Sequence, residues 1–67
     1  MERSEYTVSG MTCGHCVSSV SEEVGEIAGV REVDVDLASG KVTVTSEAPL
    51  STEDVRAAVT EAGYQLV

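Results

Sequence analysis

Apolar positions along this chain recur at two different periods, and the switches between them mark out its secondary structure. Tyr6 and Val8 share a parity within residues 5–9, the alternation of a short strand buried on one face, and Gly10 ends it. Val17, Val20, Val24 and Ile27 then fall at spacings of three, four and three, with Glu22, Glu23 and Glu26 off that stripe. This spacing predicts an amphipathic helix over about 16–27, stopped by Ala28-Gly29. Val33, Val35 and Leu37 alternate with Glu32, Asp34 and Asp36 as a second strand. Ala38-Ser39-Gly40 reads as a hairpin turn, and Val42 and Val44 alternate with Thr43 and Thr45 as the return strand. Pro49-Leu50 breaks the pattern. Ser51 is the expected N-cap of a second helix, with Glu53 and Asp54 in its first turn, where negative charge meets the helix dipole favourably. Val55, Ala58, Val59 and Ala62 form its buried stripe, Gly63 stops it as a left-handed C-cap, and residues 64–67 form a last short strand.

Strand, helix, strand, strand, helix, strand is the order of a ferredoxin-like α+β sandwich. Its four-stranded antiparallel sheet has the order 4-1-3-2, with both helices on one face. In that topology the first strand climbs into the segment Gly10–Cys16. The hairpin Ser39-Gly40 and the corner Gly63-Tyr64 return to the same end, so all three are expected to cluster there.

Composition narrows the class. The 67 residues fit one domain spanning 1–67, with no room for a second core. Hydrophobic content of 42% with 24% charged residues describes a globular chain rather than a disordered one. Its apolar residues are mostly Val and Ala, without Phe or Trp, which suits a thin sheet-and-helix sandwich. Twelve acidic residues against four basic ones give a net charge of −8, hostile to nucleic acid and to anionic membrane surfaces. The acidic surface has two readings: it keeps a metal-free monomer soluble, or it steers the chain toward a basic patch on a protein partner. A polar N-terminus without a signal peptide, and no run long enough for membrane insertion, lead to the expectation of a cytoplasmic protein with reduced thiols.

The chemistry is concentrated at Cys13 and Cys16, the only cysteines. Cys16 is expected in the first turn of the first helix and Cys13 in the loop just before it, where free backbone N–H groups and the helix dipole stabilise anionic sulfur. Gly14 would relax the backbone so that both sulfurs face one point, and the spacing is expected to keep them near the surface, where an ion can enter and leave. Two thiolates without a third ligand suit a soft ion of low coordination, with Cu(I) leading and Ag(I) and Hg(II) as mimics. Zinc prefers a filled tetrahedron, and the neutral Thr12 removes an easy carboxylate. His15 is expected to point outward as the sulfurs converge, and to tune the thiols and guard the ion rather than bind it. Met11 reads as an apolar anchor turned into the core rather than a thioether ligand. Tyr64 stays open between core aromatic and shield over the ion. Asp34, Asp36, Glu53 and Asp54 read as solvated faces and dipole complements, not as a Ca²⁺ site. A thiol–disulfide oxidoreductase also uses C-x-x-C at a helix start. Here the chain is too short for a thioredoxin-like fold and its single Pro49 does not face the cysteines, so an enzyme is not expected.

Ser9-Gly10-Met11-Thr12-Cys13-Gly14-His15-Cys16-Val17 resembles the signature of the heavy-metal-associated domain family, and Glu61-Ala62-Gly63-Tyr64 resembles that family's final helix-to-strand corner. The resemblance runs from Tyr6 to Leu66. It implies Cu(I) bound by Cys13 and Cys16, with Gly14-His15 and Tyr64 in the pattern of free-standing bacterial copper chaperones. Members tuned to Zn, Cd or Pb often carry an acidic residue beside the first cysteine, where this chain has Thr12. The resemblance further implies transfer by thiolate exchange to the metal-binding domain of a copper-transporting P-type ATPase or to a copper-sensing regulator. A metal-bridged dimer is compatible with it, since four thiolates satisfy Cu(I) better than two. The competing readings are a metal-binding domain excised from such an ATPase and a carrier for mercury or zinc.

Overall fold

A computed structural model describes residues 1–12 and 14–67. Its elements are β1 (Glu2–Ser9), α1 (Gly14–Gly25), β2 (Val30–Asp36), β3 (Lys41–Ser46), α2 (Thr52–Glu61) and β4 (Gln65–Leu66). The strands make a four-stranded antiparallel sheet in the order β2-β3-β1-β4, the expected order read from the opposite edge. Register explains why one face is apolar. Val35, Val42 and Tyr6 lie abreast across β2, β3 and β1, as do Val33, Val44 and Ser4. The next residues along each strand, such as Asp34, Thr43 and Glu5, occupy the opposite face. Val20 and Val24 of α1 join Val55, Ala58 and Val59 of α2 in the same core as Val8, Val42 and Val44. Both helices therefore cover one face of the sheet. Val20, Val24, Val42, Val44, Val55 and Val59 are completely buried, each contributing about 1.5–3 kcal/mol relative to an exposed position. Ser46 is buried with them, and its hydroxyl donates to the Ala48 carbonyl at 2.6 Å, so no polar group is stranded there.

Element boundaries depart from the apolar pattern where hydrogen bonding rather than burial sets them. β1 begins at Glu2 because Glu2, Arg3 and Ser4 pair with Ser46, Thr45 and Val44; no apolar residue signals this stretch. α1 begins and ends two residues earlier than 16–27. Its apolar stripe still reaches Ile27 because the chain tightens after Gly25, with Glu26 N–H donating to Glu23 O (3.3 Å) and Ile27 N–H to Val24 O (3.1 Å). Leu37 leaves the strand alternation and is 38% exposed. The ladder closes one residue earlier, at Asp36 opposite Lys41. Asp36 then organises the turn: its carbonyl accepts from Gly40 N–H (2.8 Å) and its carboxylate from Ala38 N–H (3.1 Å). β4 shortens to Gln65–Leu66 because Tyr64 N–H is committed to the end of α2.

Three connections meet at the end of the sheet where β1 finishes. Val8 N–H donates to Gly40 O at 2.8 Å, tying the β2–β3 hairpin to β1. At the end of α2, Gly63 N–H donates to Thr60 O (2.9 Å) and Tyr64 N–H to Val59 O (3.1 Å). With Gly63 at φ 96°, this is a Schellman closure that turns the chain sharply into β4. β4 then pairs Leu66 with Val8 and Gln65 with Ser9. Hairpin and corner thus flank the segment that begins at Gly10, as the topology required.

Candidate metal centre

Cys16 is the third residue of α1 and is 6% exposed. The sequence places it there by phase: Cys16, Val20 and Val24 are the buried positions of α1, four residues apart on one face. Its sulfur lies at the N-terminal turn, where backbone N–H groups lack helical partners and the dipole favours negative charge. No carboxylate occupies that first turn to oppose it. Thr12 N–H donates to Cys16 Sγ at 3.4 Å, and Thr12 Oγ1 lies 3.9 Å from the same sulfur. Thr12 therefore reaches across from the loop to the helix through both its backbone and its side chain.

The neighbouring candidates separate by burial. Met11 is half-buried and packs against the core, so its side chain holds the loop down. His15 is exposed on the first turn of α1. Gly14 is exposed and helical, with φ outside the positive region and nothing within 4 Å of an added Cβ. Tyr64 is half-buried against the core, and a Cβ built on Gly10 would lie 3.4 Å from its Cδ1. Its ring therefore lies over the start of the loop. Cys13, the other expected ligand, lies outside the described residues. Among the described residues, no three His, Cys, Asp or Glu side chains form a group able to hold a metal ion. A cleft of about 360 Å³ is lined by Glu5, Tyr6, Thr7, Lys41, Thr52, Arg56, Leu66 and Val67, none of them in the loop.

The contact between Thr12 and Cys16 is the feature the sequence did not disclose. Thr12 was informative there only as a neutral residue. Its four-residue offset from Cys16 is the sole signal of a turn-closing hydrogen bond, and that offset is common in any chain.

Fold and loop together define a ferredoxin-like scaffold presenting a cysteine at a helix start. The model of the heavy-metal-associated domain matches residues 5–65, and the chain belongs to that family. It is 42% identical over 67 residues to the copper chaperone CopZ of Bacillus subtilis, covering 98% of this chain and 97% of that one. It is 36% identical over 59 residues to a stretch of the human copper-transporting ATPase 2, covering 87% of this chain and 4% of the ATPase. A solved CopZ metallochaperone structure superposes with a TM-score of 0.91 at 33% identity, covering 98% of this chain and all of that one.

Proposed function

We propose that this protein is a copper chaperone: residues 1–67 act as one cytoplasmic carrier domain that holds a single Cu(I) ion between the thiolates of Cys13 and Cys16 and passes it on. The observation that carries the reading is the Cys16 sulfur, fixed at the N-terminus of α1 and hydrogen-bonded by Thr12 N–H at 3.4 Å, in a chain whose near full-length relative is a copper chaperone. Backbone donors and the helix end favour the thiolate form that binds metal. Two sulfur ligands satisfy a soft monovalent ion without trapping it.

Handover follows from ligand exchange. A thiolate of the receiving domain adds to the bound ion, the ion passes through a three-sulfur arrangement, and one of this chain's sulfurs leaves. The second leaves as the receiving domain's other thiolate binds. Metal and sulfur oxidation states are unchanged throughout, so the protein acts as a carrier and not as an enzyme. The likeness to part of a copper-transporting ATPase supports a receiving domain built like the donor, the metal-binding domain of such an ATPase. A copper-sensing regulator is the second candidate recipient.

The test is anaerobic titration of the reduced protein with Cu(I) against a competing chelator, with Zn(II) in parallel. One Cu(I) per chain is expected, with less than one in Cys16→Ser and weaker competition for Zn(II). Tighter retention of Zn(II) than of Cu(I), or full Cu(I) binding by Cys16→Ser, would overturn the assignment.

A further inference from the structure

We propose that the open half of β1 is a self-association edge: two copies of this chain pair β1 with β1, antiparallel about Ser4, and join their four-stranded sheets into one without a bridging metal. The proposal is independent of the copper-carrier reading. β4 pairs only with Val8 and Ser9, and Val67 N–H donates to Thr7 O at 2.8 Å. From Glu2 to Tyr6, β1 therefore has β3 on one side and no described strand on the other. Backbone groups alternate in direction along a strand. Val8 N–H donates to Gly40 O on the β3 side, and Thr7 O accepts on the β4 side. Arg3 and Glu5 share the parity of Thr7, so their N–H and C=O groups face the open side. Such a row of edge groups is a template for a further strand. A cleft of about 360 Å³ opens beside it, between Glu5 and Tyr6 of β1 and Thr52 and Arg56 of α2.

The side chains select a second copy as the occupant. The open stretch Glu2–Tyr6 is centred on Ser4. Antiparallel pairing about that residue sets Arg3 opposite Glu5 of the second copy, Glu5 opposite its Arg3, and Ser4 opposite its Ser4. The two Arg3–Glu5 positions are the hydrogen-bonded pairs, so every outward N–H and C=O of Arg3 and Glu5 finds a partner. Both side chains lie on the sheet face away from the helices, beside Thr45 and Thr43, where opposite charges across strands attract. Among the described residues Arg3 makes no ion pair, and Glu5 has one exposed pair, with Lys41 at 3.6 Å. The other edge of the sheet is built differently. β2 carries Glu32, Asp34 and Asp36 on that face and an irregular register between Val30 and Glu32, so self-pairing there would set acid against acid. The two-fold contact is closed, and it places the two loops that begin at Gly10 at opposite ends of the joined sheet. Repulsion between chains each carrying −8 keeps the contact weak.

The test is sedimentation of the reduced, metal-free parent with chelator present, up to about 1 mM. Its average mass should climb from 7.0 kDa toward twice that value. Arg3→Glu and Glu5→Arg should each weaken association about 10-fold or more, since both ion pairs become like-charge pairs, and an equimolar mixture of the two should associate like the parent. Glu5→Arg is the sharper variant: it makes the chain less negative, so general repulsion alone would predict tighter association. Cross-linking reads the register separately. In a Cys13→Ser/Cys16→Ser background, Ser4→Cys should oxidise to a disulfide-linked dimer, because directly opposed residues at such a position have Cα atoms about 4.5 Å apart. Glu2→Cys should not, because it faces Tyr6 of the second copy. A parent that stays at 7.0 kDa throughout, a Glu5→Arg variant that associates as tightly as the parent, or cross-linking through Glu2→Cys in place of Ser4→Cys would overturn the proposal.

Discussion

Gly40 and Gly63 both hold positive φ angles, 75° and 96°, yet substituting alanine at each should have different consequences. An L-residue in this region costs about 1–2 kcal/mol, offset in part by about 0.4–1 kcal/mol from a less flexible unfolded chain. At Gly63 nothing lies within 4 Å of the added Cβ, so that backbone balance is the whole effect, about 1 kcal/mol. At Gly40 the added Cβ would sit 2.6 Å from the Val8 carbonyl oxygen. That oxygen belongs to β1 backbone and cannot swing away as a side-chain end would. The hairpin must retreat instead, stretching the 2.8 Å bond from Val8 N–H to Gly40 O and uncovering Val8, which is 3% exposed. A lost hydrogen bond adds about 1 kcal/mol and partial exposure of a valine about another, giving roughly 3 kcal/mol in all. Urea unfolding followed by far-ultraviolet circular dichroism measures both. With a slope near the low end for small proteins, about 1 kcal/mol/M, the midpoint should fall about 1 M for Gly63→Ala and about 3 M for Gly40→Ala. Equal shifts, or a larger one for Gly63→Ala, would refute the contribution assigned to the carbonyl clash.

Val44→Ala, at a completely buried position, should cost about 2–3 kcal/mol in the same urea unfolding through two lost methyl groups and the space they leave; Val67→Ala, 80% exposed, should be silent there. Added sodium chloride should raise the melting temperature. The ion pairs Lys41–Glu5 and Arg56–Glu53 are exposed and contribute little, whereas screening relieves the self-repulsion of a chain carrying −8; a fall with salt would contradict this balance. His15→Ala should retain one Cu(I) per chain in a competition titration, since His15 is exposed on the outside of the first turn; loss of stoichiometric binding would make the imidazole a ligand.

The sheet order was legible from the order of elements, strand, helix, strand, strand, helix, strand, and the buried face from Tyr6, Val8, Val33, Val35, Val42 and Val44, which alternate with polar residues and leave little freedom of register. Both helices were legible from valine spacing, and the Ser51 cap from its residue type; Ser51 Oγ does accept from Glu53 N–H at 3.2 Å. What the apolar pattern could not carry was structure made by backbone pairing alone. Glu2–Ser4 joins β1 without any apolar residue, because β3 extends opposite it. Leu37 looked like strand because its parity was right, but the carboxylate and carbonyl of Asp36 stop the ladder first. At the site, the spacing of the cysteines suggested sulfurs near the surface, but Cys16 is 6% exposed because it, and not Val17, shares the buried face with Val20 and Val24. The contacts of Thr12 with that sulfur were not legible, since they depend on how the segment ending at Thr12 folds back toward the first turn.

That fold-back shows how a small valine core supports the loop at which, on the copper-carrier proposal, ligands are exchanged. The loop is restrained from several directions: Met11 packs into the core, Tyr64 covers Gly10, and Gly40 O holds β1 at Val8. On the far side of the loop, Val20 and Val24 seat α1 in the core, so Cys16 is fixed by the helix, and Thr12 adds contacts to its sulfur from the loop. A sulfur held this way does not have to be repositioned when a second set of thiolates arrives, which keeps the reorganisation cost of exchange small.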